Sequence, residues 1–176
     1  MFLTPICSIF LDWHSYFTIL FIGAKGSLAQ MTSFRPVQRA DLPILLRMSR
    51  ENMSSIIQSS WGMQWQDEPV LDWLTDKSLV TEVAENDGEV VGYYCLEMAD
   101  RYLFITSIQV DRSHQGQGLG GAMMERIEAL ARERGSEGVE LCVQETNQRA
   151  RTFYQELGYQ PIWRKGSNVM MRKRLS

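Results

Sequence analysis

Four glycines in six residues, Gly116, Gly118, Gly120 and Gly121, close the stretch Ile105 to Gly121, which reads Ile-Thr-Ser-Ile-Gln-Val-Asp-Arg-Ser-His-Gln-Gly-Gln-Gly-Leu-Gly-Gly. Glycine adopts left-handed backbone angles that other residues avoid, and it lets main-chain N–H groups come close to a ligand. A helix that starts here offers amides with no internal partner and the positive end of its dipole. Such a turn holds a phosphate or pyrophosphate. The chemistry expected of it is the docking of a phosphate-bearing cofactor.

The pattern admits more than one reading. Gly116-Gln117-Gly118-Leu119-Gly120-Gly121 fits G-x-G-x-x-G, the dinucleotide fingerprint, with Glu137 or Glu140 near the place of a ribose contact. That fingerprint belongs in the first strand–helix turn of a doubly wound parallel sheet. Here an antiparallel meander precedes it, and the remaining chain is too short for the second half of such a fold. A P-loop is excluded, because no Lys-Ser or Lys-Thr follows the glycines. A turn that needs glycine for geometry alone stays open.

The elements that position the turn follow from periodicity. Ile105, Ser107 and Gln109 fall on one side of a strand, Thr106, Ile108 and Val110 on the other. Before it, Phe34 to Arg39 reads as a strand, and Asp41 as the cap of a helix with Pro43 in its first turn. A second helical stretch runs through Met53, Ile56 and Ile57 toward Trp61, and Pro69 opens another. Trp61, Trp65 and Trp73 read as core, with a substrate cleft as the sharper alternative. Leu79 to Glu85 and Glu89 to Met98 form a hairpin about Asn86-Asp87-Gly88, and Tyr102 to Val110 extends it to a meander. Leu119, Ala122, Met123, Ile127 and Leu130 recur at helical spacing, and Gly135 stops that helix. Val139 to Val143 is a strand, Asn147 caps a helix ending at Gly158, and Tyr159–Arg164 pairs with Val169–Arg174.

Two segments in this order resemble the Gcn5-related N-acetyltransferases. Gln115-Gly116-Gln117-Gly118-Leu119-Gly120 is similar to that family's Q/R-x-x-G-x-G/A motif. Asn147 with Phe153-Tyr154-Gln155-Glu156-Leu157-Gly158-Tyr159 is similar to its N-x6-Y-x3-G-[FY] signature. The resemblance covers residues 34 to 174. It implies an α/β (α+β) fold with a mixed, mostly antiparallel sheet flanked by helices, and transfer of an acetyl group from acetyl-CoA to an amine. By the same resemblance, amides from Gln115, Gly116, Gln117, Gly118, Leu119 and Gly120 hold the pyrophosphate. Ile108 and Val110 offer main-chain bonds to the pantetheine arm, Asn147 contacts the cofactor, and Tyr154 lies by the sulfur.

That reaction needs a deprotonated amine, a donor for the oxyanion and an acid for the leaving thiolate. A strand amide serves the second need and the Tyr154 hydroxyl the third, with a packed core aromatic as the plain alternative for Tyr154. Relatives carry a basic glutamate at positions matching Phe104 or Cys142, neither of which is a carboxylate here. Glu97 or a held water is the substitute considered, and His114 reads as a solvated loop residue. Rival readings are a non-catalytic acyl-CoA sensor and a dinucleotide-dependent oxidoreductase.

Bulk properties narrow the class. The chain has 176 residues, 44% hydrophobic and 22% charged, enough for one domain with a core. A net charge of −3 argues against non-specific nucleic-acid binding and leans toward a cationic acceptor. Arg164, Lys165, Arg172, Lys173 and Arg174 read as a charged sheet edge or as an anion-attracting patch. Cys7, Cys95 and Cys142 show no metal or redox spacing, so no metal is expected and the thiols are read as reduced and cytoplasmic. Residues 31–176 are read as the acetyltransferase domain and 1–30 as a hydrophobic extension outside the fold. A membrane-anchoring helix or a cleaved leader is the alternative for that extension. The partner expected is a small-molecule or peptide amine, without nucleic acid, and without a membrane unless residues 1–30 are retained. A homodimer is compatible with the pattern.

Overall fold

The computed structural model describes residues 32–99 and 101–176. The reading of residues 1–30 lies outside them. The chain builds a seven-stranded sheet in the order β1-β2-β3-β4-β5-β7-β6. Its strands are β1 (Ser33–Pro36), β2 (Val80–Asn86), β3 (Glu89–Met98), β4 (Leu103–Val110), β5 (Gly138–Gln144), β6 (Gln160–Lys165) and β7 (Asn168–Arg174). Every neighbour is antiparallel except β4 with β5. The expected mixed, mostly antiparallel sheet is therefore present.

Helices cover both faces. On one, α1 (Leu42–Trp61) and α2 (Glu68–Thr75) bury Leu45, Met48, Val70 and Leu74 against Val83 and Tyr93. On the other, α3 (Leu119–Glu133) and α4 (Gln148–Glu156) bury Met123, Met124, Ile127 and Tyr154 against Tyr94, Leu96, Leu103 and Leu141. Each fully buried Leu or Met side chain contributes roughly 1.5–3 kcal/mol of transfer free energy. Of the α3 stripe read from sequence spacing, Leu119, Met123, Ile127 and Leu130 are buried and Ala122 is half-buried; Met124 is buried as well, and so is Glu128, expected on the outer face, because its carboxylate accepts from Lys173. The hairpin at Asp87-Gly88 also forms, with positive φ at both residues (50° and 82°).

Four local expectations are corrected. The helix beginning after Asp41 and the second stretch through Met53 toward Trp61 are one helix of 20 residues, because nothing between them breaks the backbone ladder. Asp41 precedes that helix without capping it. Its carboxylate instead accepts from Gln38 N at 2.7 Å and from both arms of the Arg35 guanidinium at 2.7 and 3.0 Å. The alternation along β4 breaks: Ser107 pairs with Cys95 but Ile105 with Leu96, so Thr106 bulges. Ile105 consequently faces the α3–α4 core together with Ile108 and Val110, and not with Ser107. The fourth concerns the C-terminal cations, most of which are matched by acids. Arg164 pairs with Glu145 at 2.9 Å, Lys173 with Glu128 at 2.7 Å, and Arg172 with Glu140. Of the two readings, the charged sheet edge applies to β6, the outermost strand, with Arg164 and Lys165.

Candidate active site

The bulge at Thr106 is where the sheet opens. The parallel ladder between β4 and β5 has only Leu103↔Val139, Phe104↔Glu140 and Ile105↔Leu141. Beyond it β4 runs on to Val110 and β5 to Gln144 without pairing one another. An extra residue raises the local twist, so the two strands diverge from that point. The divergence opens a groove of about 1110 Å³ walled by Thr106–Val110 on one side and by Leu141–Gln144 on the other.

The glycine turn closes one end of the groove. Asp111 caps a short 3-10 turn, accepting from Ser113 N at 3.0 Å. Gly116 and Gly118 then adopt φ of 77° and 86°, angles that a residue with a Cβ reaches only at a cost. Gly118 is the N-cap of α3, and the first bond into it runs from Ala122 N to Gly118 O at 3.1 Å. The amides before Ala122 thus precede the helical ladder and lie at the positive end of its dipole. Leu119 anchors the turn through a fully buried side chain. A Cβ on Gly120 would stand 3.2 Å from Phe153 Cζ, so the small residue lets α4 pack against the start of α3.

Each sequence-read residue has a definite place. Gly116, Gly118, Gly120, Ile108, Val110, Asn147 and Tyr154 all line the groove. The Val110 carbonyl already accepts from Asn52 Nδ2 at 3.0 Å and from Gln115 Nε2 at 3.1 Å. The Gln115 amide donates to Arg112 O at 3.4 Å, and Gln117 Nε2 donates to Ser113 O at 2.8 Å. Asn147 caps α4, as read, accepting from Ala150 N at 3.2 Å. Tyr154 lies in the α3–α4 core and also lines the groove, its ring edge-on to Tyr159. Burial pushes its phenol well above the ordinary tyrosine value, so the hydroxyl stays protonated across the physiological range.

The groove continues to the α1–α2 side, where the core reading of two tryptophans gives way. Trp61 and Trp73 are 43% and 40% exposed, and with Trp65 they line the groove. None of the candidates for a base is a carboxylate facing it. Phe104 and Glu97 are not among the lining residues, and Glu97 is exposed. His114 accompanies Ser113 and Asp111 on the 3-10 turn. Cys142 does line the groove, and partial burial pushes its thiol up, which leaves it neutral at pH 7. Among the described residues that line the groove, Arg112 and Arg149 are the only charged ones. Both flank the glycine turn: Arg112 sits on the 3-10 turn and donates to the Glu51 carbonyl, while Arg149 donates to Gln115 Oε1 at 2.9 Å.

Sequence reasoning missed Asn52. This one side chain bonds to Gln109 Oε1, to the Val110 carbonyl and to Gln115 Nε2, at 3.0–3.2 Å, and so ties α1 to the strand and to the turn. Its signal was present: an asparagine inside a helix competes with the backbone for hydrogen bonds and needs a reason to be there.

Comparison with known proteins agrees with this geometry. A family model described as the acetyltransferase (GNAT) family matches residues 50–159. An uncharacterised N-acetyltransferase of Mycobacterium tuberculosis is 33% identical over 89 residues, half of this chain and 57% of that protein. The mycothiol acetyltransferase of Beutenbergia cavernae is 34% identical over 102 residues, 57% of this chain and 32% of that protein. The chain thus spans only about half, or less, of the length of these two relatives. An uncharacterised N-acetyltransferase of Archaeoglobus fulgidus is 30% identical over 68% of this chain and 87% of its own. In fold, the chain is similar to the ribosomal-protein-S18-alanine N-acetyltransferase of Escherichia coli, with a TM-score of 0.67 at 19% identity over 83% of this chain and 95% of that one. It is also similar to the PaiA N-acetyltransferase of Thermoplasma acidophilum in complex with coenzyme A, with a TM-score of 0.65 at 17% identity over 82% and 99%. Because the family match takes in most of α1, the splayed strands, the glycine turn and all of α4, the chain belongs to the acetyltransferase (GNAT) family.

Proposed function

We propose that the protein moves an acetyl group from acetyl-CoA to a primary amine by direct attack, with Tyr154 as the general acid. The observation that carries this reading is the groove itself, which opens at the Thr106 bulge, ends on the glycine turn and passes Tyr154. The residues present fit the cofactor: a phosphate-suited turn with Arg112 and Arg149 beside it, then an apolar slot between β4 and β5 for a narrow chain. When bound, acetyl-CoA supplies an activated thioester. The amides at Gly116, Gly118 and Gly120 would hold the diphosphate, with those of Gln115, Gln117 and Leu119 belonging to the same turn. The exposed edge of β4, including Ile108 and Val110, would align the arm, and Asn147 would fix the start of α4 beside it. The Tyr154 hydroxyl, kept protonated by burial, would give its proton to the departing sulfur.

That no carboxylate is among the described residues lining the groove favours a second reading, a binding protein that senses acyl-CoA without turnover. Coenzyme A release in the presence of an amine panel separates the two. Calorimetry with coenzyme A and with NAD tests the site itself. Uptake of coenzyme A is expected, and its absence overturns both readings.

A further inference from the structure

We infer that the acceptor is a weakly basic α-amine beside an apolar side chain, presented as an amide or peptide rather than as a free acid. This deepens the acetyl-transfer reading above and rests on it.

The wall opposite β4 and β5 is apolar: Met53, Ile56 and Ile57 of α1, followed by Trp61, Trp65 and Trp73. Hydroxyls of Ser60 and Thr146, 2.6 Å apart, and a bond from Ser167 Oγ to Ser60 O at 3.0 Å tie the end of α1 to the loops beyond β5 and β6. The groove is therefore held between its two walls at that end. The polar side chains beside the tryptophans, Gln64 and Gln66, are neutral amides, and toward the glycine turn Asn52, Ser107 and Gln109 are neutral and bonded among themselves and their neighbours. Amides suit the C=O and N–H groups of a peptide unit.

Among the described residues lining the groove, an ammonium ion would find no counter-charge. The acids on the surrounding elements are engaged elsewhere or face solvent. Asp67 is bound by Arg50 and by the Trp65 indole at 2.5 Å, and those bonds hold its carboxyl below the usual range. Glu51 pairs with Arg47 at 3.3 Å, Glu145 with Arg164, and Asp111 with Ser113 and Arg47. Glu68 and Asp72 of α2 are exposed and do not line the groove. A free α-carboxylate fares no better at the tryptophans, since both lining arginines flank the glycine turn.

The described residues lining the groove include no carboxylate or histidine to accept a proton either. One chain of hydroxyls does reach the groove: Ser107 to Tyr93 at 3.1 Å and Tyr93 to Ser49 at 2.5 Å. It ends with Ser49 donating to the Leu45 carbonyl at 2.8 Å, which takes no net proton. The amine must then arrive neutral. At pH 7 an α-amine of pKa about 7.7–8.0 is neutral roughly 300 times more often than a lysine amine of pKa about 10.4. In the step that follows, nitrogen bonds to the acetyl carbon and the carbon–sulfur bond breaks. The sulfur takes the Tyr154 proton, the surplus nitrogen proton leaves to water, and water restores the phenol.

The test is coenzyme A release by the full chain with acetyl-CoA between pH 6 and 9. The probes are leucinamide, Leu-Gly-Gly-Gly, Gly-Gly-Gly-Gly, Nα-blocked lysinamide and spermidine. The leucine probes are expected to exceed the glycine peptide by about tenfold in kcat/KM and blocked lysinamide by about a hundredfold or more. Their rates should rise with pH and level off at the probe's own amine pKa. Leucinamide and the leucine peptide performing equally points to a small amide, and a better peptide points to a chain terminus; both support the inference. Trp73→Ala should lower the leucine-to-glycine preference about tenfold with an unchanged melting temperature. Release with lysinamide or spermidine but not with the leucine probes overturns the inference and leaves acetyl transfer standing. Release with no probe overturns both.

Discussion

Tyr154 concentrates the chemistry at the residue scale, since its phenol combines a core position with a face on the groove. Tyr154→Phe is expected to lower turnover about a hundredfold while coenzyme A affinity stays within a factor of two. Unchanged turnover removes its role as acid. Because burial raises the phenol's pKa, its ionisation should impose no alkaline fall in activity below pH 10. Asp41 is a residue of the opposite sort, structural and acid-sensitive. The Arg35 guanidinium holds its carboxyl below the ordinary value. A folded pKa lowered in this way gives stability that is present above about pH 4 and is lost as pH falls through the folded value. Asp41→Asn should therefore cost about 2 kcal/mol at pH 7 and much less near pH 2 in urea unfolding. A loss that does not change with pH would show that the ion pair is not its source.

Among the elements, β4 and the start of α3 determine whether a groove exists. The Thr106 bulge ends the ladder with β5, and the Thr106 hydroxyl is buried there without a partner among the described residues. Thr106→Val keeps the shape and removes that orphan, so the melting temperature should hold or rise. A loss of about 1 kcal/mol would reveal a partner for the hydroxyl. At the turn, Gly118 has a φ of 86°. Gly118→Ala adds about 1–2 kcal/mol of backbone strain in the conformation that exposes the amides. The expected result is a coenzyme A dissociation constant raised tenfold or more by calorimetry. Unchanged affinity would mean that the turn does not hold the phosphates.

Across the whole molecule, the groove lies between two separately packed cores, one under α1 and α2 and one under α3 and α4. A ligand seated there bridges both. Binding to the folded state alone stabilises it by about 2.7 kcal/mol at a hundredfold excess over the dissociation constant. Saturating coenzyme A should raise the melting temperature by several degrees, and NAD should not. Equal shifts from both would return the glycine turn to the dinucleotide reading. Among the described residues, no helix is long and apolar enough to cross a membrane.

By itself the sequence determined the parts whose signals are local. The period-3.6 stripe of α3, the Asp87-Gly88 hairpin, the Asn147 cap and the spacing of Gly116 and Gly118 are short-range, because each rests on backbone preferences within a few residues. The two motifs then carried the family and the mixed sheet. Tertiary structure decided everything that depends on residues far apart in the chain. The bulge at Thr106 appears only when β4 is paired with β3, and it moves Ile105 to the opposite face from the one simple alternation gives. Asn52 became visible as a link only once α1 lay beside Gln109 and Gln115. Trp61 and Trp73 carry the composition of a core, yet they line a groove, because burial depends on which elements meet above a side chain. The same physics governs charge. The acids that give the chain its net charge of −3 are spread along the sequence, and among the described residues the fold keeps them from lining the groove.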